Sequence, residues 1–101
     1  MKHTNEQIEA LSDEAKRLHA SVVKEWRITD AAGLCTLMVA CQALDRLRAA
    51  QVIIERDGII SLDRFNQPKP HPATQIEKEA RAGLLMALKA MNLDLESLEG
   101  K

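Results

Sequence analysis

Aromatic residues make up 2% of this chain, one Trp and one Phe with no Tyr. A sequence so poor in aromatics is not written for a β-sandwich or barrel, whose strands favour them. All three prolines fall between Pro68 and Pro72, so no other stretch is barred from helix. The glycines Gly33, Gly58, Gly83 and Gly100 are scattered, which excludes a glycine-rich phosphate loop. Cys35 and Cys41 fall on one predicted helix, too far apart along its axis to bridge comfortably, and neither has a CxxC or a neighbouring His. They read as small buried apolar residues of a cytoplasmic protein, with no metal bound. There is no run of roughly 20 apolar residues to span a membrane. The segment Met1–Glu6 lacks the apolar core of a signal peptide. A net charge of −1 exerts no overall pull on nucleic acid, so any DNA site must be a local patch.

What the chain does have is helix-forming apolar residues. Hydrophobic side chains account for 46% of the 101 residues, as Leu, Ile, Ala, Val and Met. The expected fold is mostly α: a three-helix core with a short β-hairpin-like connection between helices 2 and 3, assembling as an oligomer. Assembly is expected because a chain of this length cannot cover all the apolar faces of such long helices. One helical oligomerisation domain is expected over residues 1–93, followed by an acidic tail over 94–101.

The first helix is read from Asn5 to Trp26, where Ile8, Leu11, Ala15, Leu18, Val22 and Trp26 recur at steps of three and four. At about 100° per residue, Lys16, Arg17, Lys24 and Arg27 fall on the opposite half. Acidic Glu6, Glu9 and Asp13 share that half nearer the start, where they suit the helix dipole. Thr29 or Asp30 caps the second helix, which reaches about Arg56. Its apolar stripe is Leu34, Leu37, Met38, Cys41, Leu44 and Val52. Asp45 and Arg48 interrupt that stripe, either as an i,i+3 ion pair at its edge or as a polar contact to a neighbouring subunit.

Gly58 ends the second helix, and Ile59, Ile60 and Leu62 followed by Asp63–Gln67 suggest a short hairpin. Phe65 is expected to anchor that run on the helices or on a neighbour, because a lone hairpin has no core. The third helix opens at Pro72 and runs to about Met91. Ile76, Ala80, Leu84, Ala87 and Met91 form its stripe, Leu85 and Leu88 widen it, and Asn92 is expected to cap it. Leu93–Glu99 reads as a short helix or as a segment ordered only by a partner. No nucleophile with its base, and no His at ligand spacing, supports catalysis. His71 reads as a helix-opening residue.

Taken in order, Ala43-Leu44-Asp45-Arg46-Leu47-Arg48-Ala49-Ala50, Asp57-Gly58-Ile59-Ile60, Lys69-Pro70-His71-Pro72-Ala73 and Met91-Asn92-Leu93-Asp94 resemble the small subunit of phage terminases over roughly residues 8–95. That resemblance implies a homo-oligomeric ring without catalytic activity or cofactor, working in the cytoplasm of an infected bacterial host. Such a ring binds viral double-stranded DNA, initiates genome packaging and regulates the ATPase and nuclease of the terminase large subunit. Lys16, Arg17, Lys24 and Arg27 are the expected DNA-binding residues, with Arg64 and Lys69 as the competing patch. The alternative reading is a helical protein–protein interaction or regulatory module that does not bind DNA.

Overall fold

Helix boundaries in this chain are set by local capping chemistry, and the computed structural model describes residues 2–91. A short helix α1 (Lys2–Glu9) is followed by α2 (Asp13–Trp26), α3 (Ala31–Asp57), strands β1 (Ile60–Leu62) and β2 (Pro68–Pro70), and α4 (Pro72–Ala90). The protein is therefore mostly helical, with one small antiparallel sheet. The proposed Asn92 cap and the 93–99 tail lie outside the described residues.

The expected continuous first helix is instead two. Ser12 takes extended backbone angles, and its hydroxyl accepts a hydrogen bond from Ala15 N at 3.1 Å, so it caps α2 and ends α1. The apolar face nevertheless carries through the break. Leu11, Ala15 and Val22 are buried, and Ile8, Leu18 and Trp26 pack against them.

Asp30 caps α3, its carboxylate accepting from Gly33 N at 2.8 Å. Gly58 stops α3 at φ 82, a left-handed value that any side chain would strain. At about 1.5 Å per residue, the 27 residues of α3 form a rod of about 40 Å. Helix α4 returns antiparallel along this rod, while α2 covers only its N-terminal half. Leu37, Met38, Cys41 and Leu44 meet α2 in the core, together with Ala87 and Leu88 of α4. Past Arg48 there is no α2 to face, so Val52 of the expected stripe is 64% exposed. Leu47 and Ala50, outside the expected stripe, are buried instead. Ile76, expected in the core face of α4, is likewise 44% exposed.

In the ribbon, Ile60 pairs with Pro70, Ser61 with Lys69 and Leu62 with Pro68. Its turn is built locally. Asp63 Oδ1 accepts from Phe65 N at 2.8 Å and Gln67 N at 3.0 Å, and Asn66 takes φ 61, which Asn tolerates. Phe65 is not anchored on the helices: it is 68% exposed, with the Arg64 guanidinium 5.0 Å above its ring centre.

The molecule is elongated. Its radius of gyration is 16.2 Å, against about 13 Å for a compact domain of this length. Its accessible surface is 7473 Å², against about 5,700 Å² for a compact monomer of this size.

Candidate nucleic-acid interface

The basic residues singled out in the sequence depend on how α2 is seated. Ala15 and Val22 are fully buried under it, and the Glu14–Arg48 pair holds its first turn to α3. Arg48 grips both carboxylate oxygens, Nε to Oε1 at 2.9 Å and Nη2 to Oε2 at 3.0 Å, and also donates to Gln51 at 2.8 Å. That grip is the main reason the Glu14 carboxyl titrates below its ordinary range, and it raises the Arg48 guanidinium in turn. Asp45 does not pair with Arg48. It accepts from Ser12 N at 2.9 Å and from the Ser12 hydroxyl, so each of the two residues ties α3 to a different point of the α1–α2 junction. The expected i,i+3 pair is thus replaced by two long-range ties within one chain. Both side chains reach the junction because α2 begins where it crosses them.

With α2 fixed in this way, Arg17 and Lys24 are exposed and Lys16 is half-buried. At about 100° per residue, the three lie within one arc of about 100°. Lys16 and Lys24 are about 12 Å apart along the axis, the rise of three to four base pairs of duplex DNA. Arg27 is exposed too, but it is not on the helix. It takes left-handed angles, φ 50 and ψ 45, at the C-cap of α2, so its side chain leaves beyond the helix end. The arc is not purely basic, since Asp13 falls within it at the N-terminal end. Of the three basic residues on the helix, only Lys24 stands in the last turn, where positive charge suits the dipole. Lys16, Arg17, Lys24 and Arg27 make no side-chain ion pair among the described residues.

The competing patch sits on the ribbon. Arg64 is at its turn and Lys69 on β2, both exposed. The neck below them joins two of the sequence segments described above. His71 caps α4, its Nδ1 accepting from Ala73 N at 3.0 Å, and its Nε2 lies 3.1 Å from Asp57 Oδ2 at the end of α3. Arg56 also pairs with Asp57 at 2.7 Å. Chiefly through Arg56, and then through His71, the Asp57 carboxyl is lowered to about 2. Both nitrogens of His71 are thus taken up in holding the fold.

Burial raises the Cys41 thiol to about 11, which makes it a poor nucleophile; Cys35 is exposed and free. No group of three metal-ligating side chains occurs among the described residues, and no helix among them is long and apolar enough to cross a membrane.

Sequence reasoning missed an apolar groove of about 570 Å³ between α3 and α4. Its signal was present in the small residues Ala43, Ala49, Ala80 and Gly83, which leave room where larger side chains would fill it. No family model, curated protein or solved structure matches the chain.

Proposed function

We propose that this chain is a self-assembling DNA-recognition subunit of the phage terminase small-subunit kind, which presents viral DNA to a packaging ATPase and performs no chemistry itself. The observation that carries the reading is the meeting of two segments of the resemblance at one neck. Asp57-Gly58 closes α3, Pro70-His71-Pro72 opens α4, and the Asp57–His71 contact joins them. The Ala43–Ala50 segment supplies Asp45 and Arg48, the residues that hold the α1–α2 junction. Three of the four fragments that carry the resemblance thus take part in contacts that hold this fold. Two further features fit the reading. The chain leaves large apolar side chains uncovered, as a subunit of an assembly would, and it carries a basic patch on an otherwise nearly neutral molecule.

Lys16, Arg17, Lys24 and Arg27 are proposed to touch backbone phosphates, which position DNA without reading its sequence. Binding of labelled duplex DNA, followed by anisotropy over a salt series, tests this. The expected slope of log affinity against log salt is about −0.9 for each phosphate neutralised. Reversing the charge of Arg17 and Lys24 should weaken binding at low salt and flatten that slope, with assembly mass unchanged. If only reversal of Arg64 and Lys69 has this effect, the site is on the ribbon. A chain that assembles but binds no duplex at low salt fits the interaction module without DNA and removes the terminase reading.

A further inference from the structure

The ribbon presents its apolar side to solvent. Residues directly opposite each other in an antiparallel pair share a face, so Ile60, Leu62, Pro68 and Pro70 lie together on one side and Ser61 and Lys69 on the other. The apolar side is open: Ile60 is 54% and Leu62 62% exposed, and both prolines are exposed. The polar side turns partly inward, where the Ser61 hydroxyl is buried without a hydrogen-bond partner among the described residues. A two-stranded ribbon of this length lacks a core of its own and needs something to lie against.

The edges of the ribbon narrow what that can be. The bonds from Asp63 N to Gln67 O (3.0 Å) and from His71 N to Ile59 O (2.8 Å) set the ladder so that positions 60, 62, 68 and 70 direct their backbone outward. Pro68 and Pro70 have no N–H, so the outer edge of β2 offers no donor to another strand. A partner for the ribbon therefore meets its apolar face, or pairs along β1.

The groove between α3 and α4 is the second uncovered surface. It lies on the side of α3 turned away from α2, with Ala43, Ala50, Ala80 and Gly83 in its lining and Val39 and Ile76 beside them, 52% and 44% exposed. Arg46 stands on its α3 wall and Glu79 on its α4 wall, while the ribbon turn carries Asp63 and Arg64. One charge of each sign on each surface allows two opposite-sign pairings across a contact.

We propose that the apolar face of the ribbon of one copy seats in the α3–α4 groove of a second copy. Asp63 then lies toward Arg46 of the groove, and Arg64 toward Glu79. At roughly 60–120 Å² for each apolar side chain, the four on this face contribute on the order of 240–480 Å². A stable interface uses about 800 Å² per partner, so one contact alone is small. The contact joins unlike surfaces, so each copy carries both halves and can make two contacts in a closed ring. The second contact adds to the first through effective concentration. The inference rests on the assembly part of the proposed function and not on DNA.

The test uses two full-length variants, each changing only exposed side chains: Ile60→Thr with Leu62→Thr on the ribbon, and Val39→Lys with Ile76→Lys in the groove. Circular dichroism checks that both keep their helices. By sedimentation, the wild type is expected as a multi-chain assembly and each variant alone as a single chain. Mixed in equal amounts at a concentration well above that at which the wild type assembles, the two variants should form a species with the mass of two chains through the single contact left to them, because the groove variant still has a ribbon and the ribbon variant still has a groove. If either folded variant keeps the wild-type mass, or the mixture stays at one chain, the contact is elsewhere and the proposal is overturned. Survival of the groove variant's assembly would point to β1 pairing with β1 of another copy. A wild type that sediments as one chain overturns the assembly reading itself.

Discussion

One imidazole, that of His71, joins the two long helices: Nδ1 accepts from Ala73 N at the start of α4, and Nε2 lies 3.1 Å from Asp57 Oδ2 at the end of α3. Because Nδ1 accepts, the neutral ring carries its proton on Nε2 and donates it to the carboxylate. His71→Ala removes the cap and the neck together, at a cost of about 1 kcal/mol for the cap. Helix content should hold, while tryptic cleavage after Arg64 in the ribbon speeds up. Asp57, held near 2 against an ordinary 3.8, contributes stability that is present above its unfolded value and lost as pH falls through about 2. Cleavage by an acid-stable protease should therefore rise between about pH 4 and 2, and Asp57→Asn should remove that rise.

Asp45 and Arg48 occupy neighbouring turns, yet their substitutions should differ in cost. Asp45→Ala leaves the Ser12 N–H and hydroxyl without the partner that fixes the α1–α2 junction. Both bonds are exposed, so water replaces part of what they supply and the loss should be about 0.5–1.5 kcal/mol. The Arg48–Glu14 pair is about half exposed, with side-chain values of 51% and 43%, so Arg48→Ala should cost under about 1 kcal/mol. Urea unfolding midpoints give the order. If Arg48→Ala proves the costlier, the junction is held by the ion pair instead.

Those two residues also mark what the sequence could and could not say. Asp30, Gly58 and Pro72 were legible as helix ends because capping depends on a few neighbouring atoms. The break at Ser12 was not, since Ile8, Leu11 and Ala15 keep one stripe straight across it. Its signal was Ser12 followed by acidic Asp13 and Glu14, a helix-start pattern that the apolar periodicity overrode. The partners of Asp45 and Arg48 lie more than thirty residues away in sequence, and spacing within a helix carries no information about them. The exposure of Phe65 had the same origin, because what covers a ribbon is a tertiary matter. Of the basic residues read on this helix, Arg17 and Lys24 are exposed, Lys16 is half-buried, and a left-handed backbone takes Arg27 off the helix.

On α4, leucines less than one turn apart separate core from surface. Leu88 is buried at 8% exposure and Leu85 is open at 49%. Leu88→Ala should destabilise by about 2–5 kcal/mol, while Leu85→Ala should fall within about 0.5 kcal/mol of wild type. A double change of Leu84 and Leu88 to Asp should unfold the chain rather than only separate subunits, since Leu84 packs against the same core. Thermal unfolding at low concentration checks both.

His19 gives the chain a pH response near neutrality. Burial disfavours its charged form and lowers its pKa from 6.5. In the folded state it binds fewer protons than in the unfolded state just below pH 6.5. Its stabilising contribution is therefore complete above 6.5 and declines as pH falls from there toward the lowered value. Melting temperature should drop as pH falls below about 6.5, and His19→Gln should flatten that drop. An equal drop in the variant would assign it to other groups.

Two helical glycines should respond oppositely to alanine. A Cβ at Gly33 would sit 2.8 Å from Asp30 Oδ1 and 2.8 Å from Ile28 Cγ2, so Gly33→Ala displaces the cap of α3 and destabilises the chain. A Cβ at Gly83 meets no side chain within 4 Å, because Gly83 faces the open groove. Helix propensity alone then favours Gly83→Ala by about 0.5–1 kcal/mol, read as a higher melting temperature of the single chain. A glycine at a site where alanine folds better is understandable if the space over it is used. The same methyl would narrow the groove, so a variant more stable as a chain should also assemble more weakly. Melting at low concentration and sedimentation at high concentration separate the two effects. A rise in both stability and assembly would mean that nothing seats over Gly83.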